Sequence, residues 1–208
     1  MPLKASEIKD LIKNKQFELA QQKLENADTL ELYLLRGDLK YEMGDFEGAE
    51  KDFSKALELD SNNLKAYNNR GNCLANLGLY NEALKDYNKA IELAPNYSEA
   101  YFNRGLVKYN QRHIKEAIAD YNKAIELDPD NFMAYNNRGN AKTYLKDYSD
   151  AIQDFDKSIE LYSFHDTYFN RAVAKENIEN YEGSIADYNK AIELNPNDYQ
   201  MYKKRAFS

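Results

Sequence analysis

The hexapeptide Ala66-Tyr67-Asn68-Asn69-Arg70-Gly71 sets the period of this chain, because it returns at a fixed interval. It reads Ala100-Tyr101-Phe102-Asn103-Arg104-Gly105 after 34 residues and Ala134-Tyr135-Asn136-Asn137-Arg138-Gly139 after another 34. Looser copies lie at residues 33–37, 168–172 and 202–206. A period of this length indicates an array of repeated units, each of which buries its apolar face only against its neighbours.

A second phrase runs in step with the first and completes each unit. Residues 86–93 read DYNKAIEL, and the phrase recurs at 120–127, 154–161 and 187–194, with an early version at 52–59. In both phrases the apolar residues recur every three or four positions, which predicts two amphipathic helices per unit. A proline follows the second phrase in three units, where a helix should stop: these are Pro95, Pro129 and Pro196.

Small residues recur where the two helix axes of a unit should approach closely, since larger side chains would push the helices apart. They are Gly37, Gly71, Gly105 and Gly139 in the first helices, and Ala49, Ala83, Ala117 and Ala151 in the second.

This order of aromatic, small and proline positions resembles the tetratricopeptide repeat over nearly the whole chain. The resemblance implies an all-α fold, a right-handed α-solenoid of antiparallel helix-turn-helix units that form a single array over residues 1–208. We expect a degenerate unit at 1–29, five full units, and a partial helix at 199–208. The full units are placed at 30–63, 64–97, 98–131, 132–164 and 165–198.

Composition narrows the choice of partner and compartment. The 208 residues carry 35 acidic and 28 basic side chains, and both signs are spread along the chain. No basic stripe is present, so we expect no nucleic acid as partner. The mean hydropathy is −0.83, and the chain has no long apolar run. We therefore expect neither a membrane partner nor a secretory signal. With its single cysteine, Cys73, the chain is expected to be cytoplasmic.

Residues that could carry chemistry are few. His113 and His165 lie in different units, and neither has a cysteine nearby. The chain has no glycine-rich phosphate loop, cysteine pair or nucleophile motif. Cys73 lies one turn from Asn69 in a first helix and is expected to be a packed, unreactive thiol. We therefore expect no catalytic residue, no metal site and no cofactor, and hence no enzyme.

Arginine and aspartate form two parallel series. Arg36, Arg70, Arg104, Arg138, Arg171 and Arg205 occupy the seventh repeat position, and each full unit has Asp52, Asp86, Asp120, Asp154 or Asp187 in its second helix. Burying an unpaired guanidinium is very costly, so we expect the two series to form partly buried ion pairs. The alternative is that the arginines turn toward a groove and hold an anionic ligand.

The resemblance implies a concave groove lined by the first helices, and this groove is the candidate site. Asn69, Asn103, Asn137 and Asn170 repeat at the sixth position, like the asparagine ladder of some family members. A carboxamide can accept from and donate to a peptide backbone, and aromatic rings add selectivity. The candidate peptide-binding residues are Asn68, Asn69, Asn72, Phe102, Asn103, Tyr109, Asn136, Asn137, Asn140, Tyr144, Phe169 and Asn170.

The main hypothesis is a protein-interaction module that binds an extended polypeptide in this groove. A second hypothesis is an assembly element that works through its ends or convex face, since residues 199–208 are too short for a polar cap. That end would belong to a longer protein or pack on another copy, giving a homo-oligomer. A third is a chaperone cofactor with a carboxylate-clamp-like groove, although most of the clamp's lysine and arginine positions hold Asn, Phe or Leu.

Overall fold

The computed structural model describes residues 5–26, 28–197, 202 and 205, and in these ranges all regular structure is helical. The chain divides into two compact units, residues 1–107 and 108–208, whose boundary falls within the seventh helix. The helices are α1 Ala5–Lys13, α2 Phe17–Leu24, α3 Leu30–Glu42, α4 Phe46–Leu59, α5 Leu64–Asn76, α6 Tyr80–Leu93, α7 Ser98–Asn110, α8 Ile114–Leu127, α9 Phe132–Tyr144, α10 Tyr148–Leu161, α11 His165–Glu176 and α12 Tyr181–Leu194.

Consecutive helices pair as hairpins in both units. In the first unit α3 packs against α4 and α5 against α6, while α9 packs against α10 and α11 against α12 in the second. Polar caps begin several helices: Asn63 accepts a hydrogen bond from the backbone N–H of Ala66, and Asn131 accepts one from that of Ala134, both at 3.0 Å. These caps satisfy backbone donors that a helix start leaves free.

The glycines of the first helices lie under aromatic rings of the second helices. A Cβ atom at Gly37 would lie 2.7 Å from the ring of Phe53, one at Gly71 would lie 2.7 Å from Tyr87, and one at Gly139 would lie 2.6 Å from Phe155. Ala49, Ala83, Ala117 and Ala151 are fully buried. The expectation of small residues at the helix contacts is confirmed for the three glycines, because a side chain there would collide with a ring. The four alanines are buried, as expected.

The leading segment forms a helical pair as well. Ile8 of α1 and Leu24 of α2 are fully buried, and they cluster with Leu35 and Leu39 of α3. The predicted partial helix at 199–208 lies outside the described residues except for Tyr202 and Arg205. The single array over residues 1–208 and its unit boundaries stay predictions.

Candidate functional site

In the first unit, two of the candidate residues line a cavity of about 500 Å³. Asn69 and Asn72 of α5 line it together with Asp38, Tyr41 and Glu42 of α3. The leading helical pair supplies the remaining lining residues, which are Ile12, Lys13, Lys15 and Phe17. Amide, charged and aromatic groups thus surround one hollow, a mixture that suits a polypeptide segment better than a purely apolar ligand.

Asn69 is held in place by side chains around it. Its Nδ2 donates to Oδ1 of Asp38 at 2.9 Å, and its Oδ1 accepts from Nδ2 of Asn68 at 3.2 Å. Lys65 Nζ binds the other oxygen of Asp38 at 2.5 Å. Because Lys65 neutralises Asp38, the Asn69 amide is oriented without adding a free charge to the surface.

Asn72 has its acceptor occupied and its donors free. The Tyr87 hydroxyl donates to Asn72 Oδ1 at 2.8 Å, whereas Asn72 Nδ2 makes no hydrogen bond to any described residue. Burial raises the pKa of Tyr87 well above its usual range, which keeps this hydroxyl protonated as a donor. The arrangement leaves both Nδ2 hydrogens of Asn72 for an acceptor such as a peptide carbonyl.

The other candidate residues of the first unit contribute less surface. Asn68 is only 5% exposed, and its Oδ1 accepts from Asn103 Nδ2 at 3.0 Å. Asn68 therefore links neighbouring first helices, α5 and α7, and offers little to a ligand. Asn103 and Phe102 are half-buried, and Asn103 keeps its Oδ1 free of described partners.

In the second unit, two of the asparagines are joined in the same way. Asn170 Nδ2 donates to Asn136 Oδ1 at 3.1 Å, which links α11 to α9. Asn137 Nδ2 instead donates to the backbone oxygen of Met133 in its own helix, at 2.8 Å. Asn140 is half-buried, and its side chain makes no hydrogen bond to a described residue. The four sixth-position amides therefore make three kinds of contact. Asn103 and Asn170 each donate to an asparagine of the preceding first helix, whereas Asn69 donates to Asp38 and Asn137 to the Met133 carbonyl.

The aromatic candidates of the second unit differ in exposure. Phe169 packs edge-on against Tyr188, with ring centroids 5.6 Å apart. Tyr109 is half-buried, while Tyr144 is 51% exposed and carries the guanidinium of Arg112 over its ring at 5.2 Å. Tyr144 and Arg112 thus form the most accessible aromatic feature among these residues.

The arginine series is structural. Arg70 donates through Nε and Nη2 to Asp86, both at 2.7 Å, and Arg138 donates to Asp154 at 2.9 and 2.5 Å. Arg36 pairs with Asp52 and Arg171 with Asp187 in the same way. Hydrogen bonding to Asp86 raises the pKa of Arg70 above its ordinary value. The ion-pair prediction is confirmed for these four pairs.

The third nitrogen of two of these arginines, Nη1, binds an asparagine in the second helix of the preceding hairpin. Arg138 Nη1 donates to Asn122 of the preceding hairpin at 2.7 Å, and Arg104 Nη1 donates to Asn88 at 2.6 Å. The asparagines that repeat in the second helices are thus arginine acceptors. A lysine one turn after the arginine also reaches the aspartate in some units, as Lys142 reaches Asp154 at 2.9 Å.

Several residues that shape these surfaces were missed in the sequence. Asp38, Lys13, Lys15, Phe17, Tyr41 and Glu42 line the first-unit cavity, yet they lie in or before the first full unit, where the period is weakest. Arg112 was missed because it does not occupy the seventh repeat position, as the other arginines do. An arginine outside that repeated position was the signal in the sequence that could have marked it as a candidate binding residue.

The described residues contain neither a metal-binding cluster nor a reactive thiol. There, no cluster of three or more histidine, cysteine or acidic side chains could bind a metal ion. Cys73 is fully buried, and burial raises the pKa of its thiol to about 12, which makes it unreactive. Across the same ranges, none of the helices has the length and apolar character needed to cross a membrane.

Comparisons with known proteins agree with this architecture. A family model described as "Tetratricopeptide repeat" matches residues 64–97, 98–131, 132–165 and 165–198, and a second, "TPR repeat", matches 37–78. Among curated protein sequences, none matches the chain significantly.

Solved structures with the same fold include three that cover most of this chain. MamA is 26% identical over 86% of this chain and 94% of its own, with a TM-score of 0.68. YrrB, a TPR protein with an unusual peptide-binding site, is 24% identical over 91% and 97%, also at 0.68. PilF of Pseudomonas aeruginosa is 17% identical over 98% and 96%, at 0.84. These similarities confirm the predicted fold class, an all-α solenoid of antiparallel helical hairpins.

Proposed function

This chain belongs to the tetratricopeptide repeat family, and we propose that it binds an extended polypeptide on the asparagine- and aromatic-rich surface of its first helices. Members of this family generally serve as scaffolds for protein interactions. The observation that carries the proposal is the first-unit cavity, where Asn69 is fixed by Asp38 and Asn72 has its donors free.

The chemistry of recognition follows from these amides. An extended peptide presents backbone carbonyls whatever its side chains are, and Asn72 Nδ2 can donate to one of them. Tyr87 fixes the orientation of the Asn72 amide before binding, which lowers the entropy lost on capture. Phe17 and Tyr41 supply apolar contact for a side chain. No step of this recognition requires a cofactor or catalysis, and a cytoplasmic location stays a prediction from the sequence.

The proposal is tested by changing Asn72, Asn103, Asn137 and Asn170 to Ala and comparing partner capture with the wild type by quantitative mass spectrometry. A hydrogen bond to a ligand contributes about 0.5 to 1.5 kcal/mol, so four together should weaken binding by roughly thirtyfold or more. A matched control changes four exposed connection asparagines, Asn26, Asn62, Asn96 and Asn197, and should capture partners normally. Undiminished capture by the folded groove variant would contradict the proposal.

A second candidate function, assembly, is favoured by one feature of the last described helix. Tyr181, Ile185 and Leu194 of α12 are 51%, 38% and 39% exposed. Tyr181 and Ile185 are four residues apart and so share one helix face, which another copy of the chain could cover. Changing both residues to Lys should convert a self-associating protein into a monomer in light scattering. A wild-type protein that stays monomeric at high concentration would remove this candidate.

The carboxylate-clamp hypothesis has less support. Lys65, a cation of the first-unit surface, already binds Asp38, and four arginines of the repeat series bind their own aspartates. A polypeptide terminus would have to compete with these internal partners.

A further inference from the structure

Arg112 differs from every other arginine of the chain. The guanidinium of each of the other six donates at least one hydrogen bond to an oxygen inside the protein, whereas that of Arg112 has no hydrogen bond or ion pair within the described residues. Its side chain is exposed, and its guanidinium carbon lies 5.2 Å from the ring centroid of Tyr144. This cation is therefore fixed by an aromatic ring and not by a carboxylate.

The backbone position of Arg112 gives arginine no conformational advantage. Arg112 lies in the turn between α7 and α8 with φ 66°, and Gly44 and Gly78 fill the same position in two other turns with φ 79° and 76°. Glycine adopts this left-handed conformation without steric cost, whereas a side chain there costs about 1 kcal/mol. Turn geometry therefore does not explain why this side chain is an arginine.

The contact with the ring leaves the N–H groups of the guanidinium available. The ring of Tyr144 restricts the side chain, while the N–H groups have no partner within the described residues and can form two parallel hydrogen bonds to a carboxylate. Lys115 is exposed next to the turn, and the nearest acidic side chain along the chain, Glu116, lies 3.6 Å from Lys108. Exposed Lys146 and Asp147 follow Tyr144, and their charges offset each other. The attraction for an anion therefore comes from Arg112 itself.

We propose that Arg112, held over Tyr144, binds an aspartate or glutamate side chain of the polypeptide captured on the second unit. This inference rests on the proposed function, because Tyr144 is one of the candidate peptide-binding residues. It adds a sequence preference to the backbone recognition by the asparagines. The second unit would thus select an acidic residue, while the amides accept any sequence.

The test is selection of a random dodecapeptide library on the intact wild-type chain, on Arg112→Gln and on Lys146→Gln. Lys146 occupies the equivalent turn position with φ 66°, so Lys146→Gln removes the same charge from the same backbone geometry one hairpin later. Peptides selected by the wild type and by Lys146→Gln should be enriched in Asp or Glu at one position. Peptides selected by Arg112→Gln should lack that enrichment.

Direct binding then measures the size of the effect. The most enriched acidic peptide should bind Arg112→Gln roughly tenfold or more weakly than the wild type, since a hydrogen bond to a charged group is worth about 1.5 to 3 kcal/mol. Arg112→Lys should restore only part of the affinity, because an ammonium keeps the charge but loses the planar fork. Circular dichroism checks that each variant is folded.

The outcomes separate this inference from the proposed function. If the wild type selects peptides without acidic enrichment, or if Arg112→Gln keeps the enrichment, the acidic preference is overturned and peptide binding stands. If the folded wild type selects no peptides at all, peptide binding fails and this inference fails with it.

Discussion

At the scale of single residues, the side chains that repeat most faithfully hold the hairpins together. Arg138 joins α9 to Asp154 of α10 and to Asn122 of α8, and Lys142 adds a second cation to the same aspartate. The Arg138 side chain is 17% exposed and that of Asp154 is 5% exposed. These charges are mostly removed from water, so each depends on its partners for compensation.

Arg138→Ala is expected to lower the free energy of unfolding by about 3 kcal/mol, because it leaves the Asp154 carboxylate buried with only Lys142 as a charged partner. The measurement is urea denaturation followed by circular dichroism. Replacing all three charged residues, by Arg138→Met, Lys142→Met and Asp154→Leu, should restore much of the loss, since no charge of this cluster is then left buried. A single variant as stable as the wild type would show that the pair contributes nothing.

The sequence predicted these pairs but not the contacts of the asparagines. Arg and Asp were predictable because they recur at fixed spacing and because an unpaired buried charge is costly. Asn69, Asn137 and Asn170 look equivalent in the repeat, yet they donate to Asp38, to the Met133 carbonyl and to Asn136 respectively. An amide can pair with many groups, so its partner depends on neighbours that the repeat does not conserve, such as Asp38.

At the scale of helices, each hairpin closes by placing an aromatic ring over a glycine. Phe53, Tyr87 and Phe155 are at most 1% exposed and cover Gly37, Gly71 and Gly139. The helix count per repeat and the small contact residues could be read from the sequence, because they follow from periodicity. The first-unit cavity could not be predicted from the sequence, because it depends on how the weakly periodic helices α1 and α2 pack against α3 and α5.

Gly139→Ala is expected to destabilise the protein by about 1 to 3 kcal/mol, since its Cβ would lie 2.6 Å from Phe155 Cε1 and the ring must move. Urea denaturation of the single and double variants measures the effect. Phe155→Leu combined with Gly139→Ala should cost less than the sum of the two single changes, because the smaller side chain makes room. Strictly additive costs would contradict the packing described for this hairpin.

At the scale of the whole molecule, the chain carries two compact units, and each presents its own candidate surface. In the first unit the binding groups are Asn69, Asn72 and the aromatic rings of the cavity. In the second they are Asn137, Asn170, Tyr144 and Arg112. In a repeat protein stability is approximately a sum over hairpins and their interfaces, so surface changes in one unit should leave the other folded. Binding can therefore be assigned to each unit separately.

The measurement that tests peptide binding most directly is nuclear magnetic resonance of the asparagine side-chain amides during titration with a peptide selected by the intact chain. The account predicts saturable shifts of the Asn72 and Asn137 side-chain signals, with the Asn88 and Asn122 signals, whose oxygens accept from arginines, unchanged. Saturable binding that moves signals of the second helices and leaves Asn69, Asn72, Asn137 and Asn170 unmoved would contradict it.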